Sequence, residues 1–496
     1  MLKSVAVGTL LALLALAPNT ALAQPSDLLL PSQASTTRPQ GVAMGRRSRP
    51  VRVSLPALAR ESIKLDLFDD VVVTVDRVLV DQPGPDRLVW VGKDEFGAQA
   101  VITVAAGVLT GTVHMPFGIF EITRDPGGDY RVVEIDPAAF PTEDPDDAAA
   151  GLDLVSEVVT DPVANTPTGE FSLTGTPTDI AVMIVWTPRS ETAGGGRAAM
   201  DSLALNLVAN ANQVYVNSGV NVRLTLAYAG PISFTETTSA STDVASLRSP
   251  TDGKADGIHA LRDTYAADIV TMLGEYSGTG SCGYGYIMTP LSSSFASSAF
   301  NVVDRGCSLG NLSYAHEVGH NQGMLHNRAD AGGLTPSQPY AYGYQDPSGA
   351  FRTVLSYGSM VRIPYLSSPL TTYGGRPTGT STEDNARTLS LNAATVAAFR
   401  GGSTTTTPTT SPSCTYALSA TSLTFPVGGG SKSVSVTAPS GCAWTATESS
   451  GWVSLNTTGG TGSGTVVVTT TANGNGSTRK TTVKIAGLNV SVRQRY

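Results

Sequence analysis

The sequence predicts a protein of several domains, in which a central α/β domain lies between two β-rich regions. At 496 residues the chain exceeds the size of one ordinary domain. Strand-like and helix-like segments alternate only between about residues 173 and 400, and a Thr/Pro/Ser tract at 401–413 follows them. Only 15% of the residues are charged. That composition favours a β-rich exported protein over a helical cytosolic one.

Residues 1–23 have the pattern of a signal peptide. Lys3 is basic, residues 5–16 form a short apolar core, and 21–23 read Ala-Leu-Ala before Gln24. The apolar core is too short to span a bilayer comfortably, although an N-terminal anchor remains an alternative. We therefore expect a secreted, extracellular protein with no transmembrane segment once the signal is removed.

Residues 24–172 are predicted to form a β-rich domain. Strand-like runs occur at 71–75, 88–91, 101–104 and 130–135, and Pro/Gly/Asp turns separate them. An acidic, Pro-rich stretch at 137–147 predicts a loop or linker.

A short basic cluster lies near the start of this domain, at Arg46, Arg47, Arg49 and Arg52. We interpret it as a solvated arm. The net charge is −8 and the pI is near 5.2, and nothing in the sequence resembles the basic footprint of a nucleic-acid-binding protein.

Residues 173–400 are predicted to form the α/β domain. The apolar run 179–186 predicts a strand buried on both faces, and 197–218 predicts an amphipathic helix. A strand at 220–228, a helix at 256–265 and a buried strand at 267–273 follow. This order predicts a mixed layer with mostly parallel strands.

Residues 401–413 are predicted to be an extended spacer, and residues 414–496 an all-β sandwich. The four cysteines form two local pairs along the chain, Cys282 with Cys307 and Cys414 with Cys442. Pairing by proximity predicts two disulfides, while the other two connectivities remain open. A structural zinc site is a weak alternative because no CxxC spacing occurs.

Three of the five histidines lie in one segment, at His316, His320 and His326. On a helix, the first two project from one face. Gly323 can take a positive φ, and the turn it allows would return His326 as a third ligand. Three neutral imidazoles with a fourth position left to water form a catalytic Zn²⁺ site, and Glu317 is placed to act as its base.

Other candidates in the chain are weaker. Ser308 lies in a GxSxG sequence, but no strand-to-helix elbow is predicted there, so we interpret the match as chance. His114 and His259 are expected to be structural or solvated. Asp252, Asp256 and Asp304 could hold Ca²⁺, but no specific motif supports calcium binding.

The pattern HExxHxxGxxH at 316–326 resembles the signature of the metzincin zinc metallopeptidases. The letters His-Asn-Gln-Gly-Met-Leu-His are most similar to the reprolysin (adamalysin) branch and its bacterial secreted relatives. The resemblance implies a metzincin catalytic domain with a Met-turn at 353–358. Here the Met position holds Leu355, and Asn327 stands where reprolysins usually have Asp.

The same resemblance suggests roles for further residues. Tyr357 lies where astacins and serralysins have a tyrosine that ligates zinc or stabilises the oxyanion, and a packing tyrosine is the alternative. Pro364 and Tyr365 would line the substrate pocket. Residues 24–172 would be a propeptide, or else a retained β domain. Since no cysteine precedes Cys282, a cysteine switch is excluded.

Together these features predict a secreted zinc endopeptidase that hydrolyses peptide bonds of proteins or glycoproteins through a metal-activated water. The alternative is a non-catalytic adhesin on a metzincin scaffold.

Residues 414–496 resemble the BACON domain, an Ig-like sandwich. The resemblance lies in Cys414-Thr-Tyr, Gly441-Cys-Ala-Trp444, Trp452-Val-Ser-Leu455 and Val492-Arg-Gln494. It suggests binding to a glycan or mucin. Trp444 and Trp452 would then be either sugar-stacking platforms or core aromatic residues.

Overall fold

The computed structural model describes residues 25–32, 44–141, 176–276, 280–401 and 416–496, the last range with short gaps at 439–442, 449, 458, 462, 475 and 487. The chain divides into two compact units, residues 1–403 and 404–496, and each is described by itself. The predicted signal peptide, most of the Thr/Pro/Ser tract, Cys414 and Cys442 lie outside the described residues.

The N-terminal part of the first unit is a single ten-stranded sheet, which confirms the predicted β-rich region. The strands pair in the order β1-β4-β5-β6-β7-β8-β9-β10-β3-β2, and only β1 pairs in parallel. Two 3₁₀ helices lie at Leu55–Ala59 and Pro137–Ala139. The strands are β1 (Ser26–Asp27), β2 (Leu29–Pro31), β3 (Gly45–Val53), β4 (Ser62–Phe68), β5 (Val71–Gly84), β6 (Arg87–Lys93), β7 (Gln99–Ala105), β8 (Val108–Met115), β9 (Gly118–Arg124) and β10 (Tyr130–Ile135).

The basic cluster at 46–52 belongs to this sheet, so the expectation of an arm is wrong, although Arg46, Arg47 and Arg52 are exposed to solvent as expected. It lies on β3, which pairs with β10 and β2. Arg47 donates to Glu134 at 2.5 Å and to Asp70 at 2.7 Å. Glu134 and Asp70 are distant from Arg47 in sequence. Their negative charges offset the positive charge of β3, so a strand with four arginines can pair within the sheet.

The α/β domain has a five-stranded sheet in the order β12-β11-β13-β15-β14. The first four strands are parallel and β14 is an antiparallel edge strand, as the mostly parallel prediction requires. Two 3₁₀ helices lie at Ser293–Ser298 and Arg328–Asp330. The elements are β11 (Thr178–Trp186), α1 (Pro188–Ala193), α2 (Arg197–Asn217), β12 (Val222–Pro231), α3 (Ala240–Arg248), α4 (Gly257–Thr264), β13 (Ile269–Gly274), β14 (Gly283–Gly285), β15 (Phe300–Asp304), α5 (Ser313–Asn321), β16 (Thr372–Tyr373), β17 (Arg376–Pro377) and α6 (Asn385–Val396).

The N-terminal sheet packs on helix α2 of the α/β domain through a seam of amide side chains. Asn206 donates to the carbonyls of Val101 and Thr110, and Asn210 donates to the Thr112 hydroxyl at 2.7 Å. Further amide side chains follow on the same face of α2, because residues three and four positions apart lie on one face of a helix. The four amide residues of this seam are Asn206, Asn210, Gln213 and Asn217.

The second unit is all-β, with a four-stranded sheet in the order β18-β20-β24-β22 and a five-stranded sheet in the order β19-β26-β25-β21-β23. Their buried faces form one core. The strands are β18 (Ala417–Leu418), β19 (Ser422–Phe425), β20 (Gly430–Thr437), β21 (Ala443–Thr447), β22 (Val453–Leu455), β23 (Gly459–Thr461), β24 (Gly464–Thr470), β25 (Arg479–Ile485) and β26 (Leu488–Gln494).

Both tryptophans of the second unit are engaged within it. Trp444 is 7% exposed and belongs to the core, and Trp452 lies under the Arg479 guanidinium at 4.3 Å. Both tryptophans therefore have the packing role that the sequence analysis gave as the alternative to stacking on a sugar.

None of the helices in the described part of the chain has the length and apolar character needed to cross a membrane.

A carboxyl group sits where the N-terminal sheet meets the α/β domain. Glu121 Oε1 accepts a hydrogen bond from the Gly310 amide at 2.7 Å. Burial raises the pKa of Glu121 to about 7, against the opposing effects of the Gly310 amide and the charge of Arg305. Between about pH 4.5 and pH 7, Glu121 is therefore protonated in the folded protein but ionised in the unfolded chain.

We predict that replacing this carboxyl group changes the pH dependence of stability. Because the folded pKa is raised, wild-type stability falls as pH rises from about 4.5 to about 7. The melting temperature of wild type, relative to that of Glu121→Gln, should drop by a few degrees between pH 5 and pH 8. The control is Glu95→Gln at an exposed turn; an equal change in both variants would contradict the assignment.

Candidate metal centre

Helix α5 carries the first two histidines of the motif. It follows Leu312, which has a left-handed φ of 56°, and extends through Asn321. His316 and His320 lie one turn apart and are 2% and 0% exposed. Asn321 donates to the carbonyls of Tyr286 and Phe300, which fixes the helix against the sheet.

Gly323 turns the chain after this helix, as predicted. Its φ is +89°, and its amide donates to the His320 carbonyl at 3.0 Å. A Cβ added there would lie 2.6 Å from Asn392 Nδ2 and 2.7 Å from Ser337 Oγ. The turn therefore requires glycine for both backbone angle and space. It brings His326 back towards the helix.

The three histidines meet through their Nε2 atoms. His316 Nε2 lies 3.0 Å from His320 Nε2 and 3.1 Å from His326 Nε2, and the last two are 2.9 Å apart. Each Nδ1 lies near a main-chain carbonyl, at 2.8 Å, 2.8 Å and 3.2 Å in that order. The three acceptors are the carbonyls of Val354, Met324 and Asp330. Protonation at Nδ1 leaves all three Nε2 lone pairs directed at one point.

The surroundings keep these rings neutral. Burial lowers the pKa of His320 to about 4. Burial first, and then the neighbouring His320, hold the pKa of His316 and of His326 well below the ordinary value. The Arg362 charge acts in the same direction on all three. Neutral imidazole is the form that binds a metal ion.

These donors fit a metal ion. Within the described residues, His316, His320 and His326 form the group of His, Cys, Asp or Glu side chains close enough to share one. Three buried nitrogens within about 3 Å of one another would otherwise face each other without protons between them. Three histidines are also a ligand set of catalytic zinc sites.

Glu317 lies beside the edge strand β14. Its Oε1 would be 2.6 Å from a Cβ on Gly283, and its Oε2 would be 2.9 Å from a Cβ on Gly285. These two glycines leave the space that the carboxylate occupies. The strand itself is held by the Cys282–Cys307 disulfide, which confirms the predicted pair.

The Met-turn position packs directly on the metal-site helix. Leu355 is fully buried, and its methyl groups lie 3.1–3.2 Å from the Cβ position of Gly319. Gly319 is the residue before His320, so the leucine supports the helix between the two histidines. Leu355 therefore packs under the helix that carries His316 and His320.

Tyr357 lies against the third histidine. Its ring centroid is 3.9 Å from that of His326 and 5.8 Å from that of His316. The Tyr357 amide donates to Asn327 Oδ1 at 3.0 Å, and Asn327 Nδ2 donates to Asp330 Oδ2 at 2.7 Å. Asn327, the residue noted as a departure, therefore connects the His326 loop to the Met-turn.

Pro364, Tyr365 and Arg362 together form one wall of a small cavity. The N-terminal sheet forms the opposite wall, through residues that include Gln99 and His114. Sequence reasoning did not predict this contact. The Arg362 guanidinium donates to the Asn311 carbonyl at 2.7 Å and lies 3.5 Å from His316 Nδ1.

The remaining candidates lie away from the histidine group. His114 is buried in the N-terminal sheet, and His259 packs on Phe300 at 5.3 Å between centroids. The Ser308 hydroxyl donates to the Arg305 carbonyl. The three aspartates considered for calcium accept hydrogen bonds from main-chain amides: Asp252 from Lys254, Asp256 from Gly253, and Asp304 from Cys307 and Tyr276.

Two parts of the chain match known families. Residues 176–383 match the family described as metallo-peptidase family M12B, reprolysin-like, and residues 416–495 match the family described as viral BACON domain. A peptidyl-Asp metalloendopeptidase of Stenotrophomonas maltophilia is 34% identical over 323 residues, which are 62% of this chain and 72% of the relative. One of Xanthomonas campestris pv. campestris is 32% identical over 406 residues, which are 77% of this chain and 91% of the relative.

We predict that Gly323→Ala weakens metal binding by about 10–100-fold, because the Cβ displaces the turn that places His326. The matched control is Gly333→Ala, since Gly333 has a φ of +72° but nothing within 4 Å of its Cβ position. Both variants share the backbone strain of about 1–2 kcal/mol, so only the first should lose metal. Zinc content by elemental analysis and zinc affinity by competition with a chelator measure the difference. Equal affinities in the two variants would contradict the role given to Gly323.

Proposed function

Because the chain belongs to the reprolysin-like M12B metallopeptidase family and is a metalloendopeptidase, we propose that it is a secreted, zinc-dependent enzyme that cleaves peptide bonds at aspartate. The observation that carries the zinc proposal is the convergence of three neutral Nε2 atoms beside a glutamate. The proposed ligands are His316, His320 and His326. The adhesin alternative is not favoured, since the relatives are named as endopeptidases.

Glu317 is the proposed catalytic base. His316, His320 and His326 would hold the zinc ion, which would supply a Lewis acid and a lowered pKa for the attacking water. Glu317 accepts the proton of that water and passes it to the leaving amine. Gly283 and Gly285 support this role, since they leave the space in which the carboxylate stands beside the edge strand.

Tyr357 is the proposed additional group at the site. Its ring lies parallel to that of His316, within 10°, and contacts His326. A tyrosine held in this way can donate its hydroxyl hydrogen to the oxyanion that develops during peptide hydrolysis. Its main-chain amide is fixed by Asn327, which limits movement of the ring.

The aspartate preference comes from the names of the relatives, which place aspartate at the cleaved bond. A buried positive charge beside the proposed substrate pocket supports it. Arg362 lines the cavity beside Pro364 and Tyr365, and it is close enough to lower the pKa of the histidines. An arginine is the side chain best suited to bind a carboxylate.

The N-terminal sheet is proposed to act as a propeptide by steric cover. It faces Pro364 and Tyr365 across the cavity. Asn217 connects the two parts, because its Nδ2 donates to Gln99 Oε1 at 3.0 Å and to the Pro364 carbonyl at 3.1 Å. This contact needs no cysteine, in agreement with the absence of cysteine before Cys282.

The C-terminal domain is proposed to target the enzyme to a glycan or mucin. Its match to the BACON domain family supports an accessory binding role, separate from the site of hydrolysis.

We predict that Glu317→Ala retains zinc and lowers kcat/KM by about 10²–10⁴-fold, because the proton acceptor is lost while the ligands remain. Peptide hydrolysis and zinc content are measured on the same preparation. As the control, wild type is dialysed against a chelator, which should abolish activity, and zinc should restore it. An active Glu317→Ala protein would refute the assigned base, and chelator-resistant activity would refute the zinc proposal.

We predict that a peptide with aspartate at the cleaved bond is hydrolysed at least about 100-fold faster, in kcat/KM, than its asparagine counterpart. The two side chains have nearly the same shape, so the difference isolates the charge, and the loss of a buried charge-assisted hydrogen bond costs about 2–5 kcal/mol. A glutamate peptide serves as the second control. Equal rates for aspartate and asparagine would contradict the preference while leaving the endopeptidase activity intact.

A further inference from the structure

We propose that one exposed sheet face of the C-terminal domain binds an anionic polysaccharide. This inference rests on the proposed targeting function of that domain, and it adds that the ligand is negatively charged. The surface, called here the basic face, is the solvent side of the sheet β19-β26-β25-β21. Its residues are Ser422, Thr424, Thr447, Lys480, Thr482, Lys484, Asn489, Ser491, Arg493 and Arg495.

The basic face stands out against the charge of the chain. Residues 414–496 hold six basic residues and one acidic residue, Glu448, whereas the other 413 residues hold 26 basic and 39 acidic residues. The C-terminal domain is thus basic although the chain as a whole is acidic. Four of its six cations lie on this one face: Lys480, Lys484, Arg493 and Arg495.

Strand register places these cations together. On β25 and β26 the exposed residues alternate with buried valines and isoleucine. Lys480 lies directly opposite Arg493, and Lys484 lies opposite Asn489. Thr447 and Thr424 pair with Lys484 and Arg493 from the neighbouring strands. The result is a flat surface on which cations are surrounded by hydroxyl and amide groups.

This arrangement costs stability. Like charges directly opposite each other on adjacent strands repel, and such pairs are destabilising. Among the described residues, none of the four cations makes an ion pair. The Lys480–Arg493 pair therefore lacks a carboxylate that would compensate it within the domain, and an external anion would supply the missing charge.

The surrounding side chains favour a polysaccharide over other polyanions. Hydroxyl and amide groups such as Thr482, Ser491 and Asn489 can bond sugar hydroxyls between the anionic groups. Single-stranded nucleic acid is bound by stacking on aromatic residues, and the basic face has none. A membrane surface would call for apolar side chains that insert, which the ten residues of the face also lack.

The two tryptophans of this domain do not offer a second surface for binding a polysaccharide. Trp444 is buried against Gly460 and Gly464, and Arg479 covers Trp452. A neutral sugar therefore finds no open aromatic platform on either of them.

The test measures binding of the full-length protein to immobilised heparin and polygalacturonate, which carry sulfate and carboxylate groups, with neutral dextran as the reference. The triple variant Lys480→Gln/Lys484→Gln/Arg493→Gln should bind both polyanions at least about tenfold more weakly at low salt. The charge-matched control is Arg189→Gln/Lys254→Gln/Lys432→Gln, at three exposed sites off the basic face. It should bind as wild type does, within about twofold.

Two further measurements separate this inference from the proposed function. Hydrolysis of a short peptide should be unchanged in both triple variants, so a failure of polysaccharide binding is distinct from a failure of catalysis. The melting temperature of the basic-face variant should stay level or rise, because the Lys480–Arg493 repulsion is removed.

Several results would overturn the proposal. These are no binding of wild type to either polyanion at low salt, equal binding to dextran, or an equal loss in the control variant. Tighter binding to single-stranded DNA or to phosphatidylglycerol vesicles than to the polysaccharides would reject the ligand class.

Discussion

The three imidazoles are the constraint on which the rest of the α/β domain depends. Polar rings buried this fully are unfavourable unless each nitrogen has a partner. Each Nδ1 lies near a main-chain carbonyl, and the three Nε2 atoms are left close enough together to share one metal ion. The carbonyl that orients His316 belongs to Val354, next to Leu355, which packs on Gly319. The same short segment therefore both orients the His316 ring and supports the helix that carries it.

Local patterns predicted much of this arrangement. The spacing of His316, His320 and Gly323 is a property of one helix and its turn, and the structure places them as that spacing requires. The continuous apolar run became β11, an interior strand between β12 and β13. Helices α1, α3 and α6 were not predicted. The α6 segment does have apolar residues at helical spacing, namely Ala386, Leu389, Ala393 and Val396, and sequence reasoning overlooked them.

The parts that sequence reasoning missed depend on residues far apart in the chain. Arg47 was assigned to an arm because Glu134, its ion-pair partner, lies 87 residues away. The space for Glu317 is made by Gly283 and Gly285, about 30 residues earlier on another element. Asn217 has no local signal at all, since its importance comes from Gln99 and Pro364. Only the folded sheet brings such pairs together.

Two departures from the family pattern become understandable in the structure. At the Met-turn, a leucine suffices because the contact it makes is with Gly319, where branched methyl groups fill the space left by a missing side chain. At Asn327, the amide accepts from the Tyr357 backbone with one end and donates to Asp330 with the other. An aspartate could only accept, so it would face the Asp330 carboxylate as a like charge. Asn327 and Asp330 thus form a matched pair, and the substitution at the first position is explained by the residue at the second.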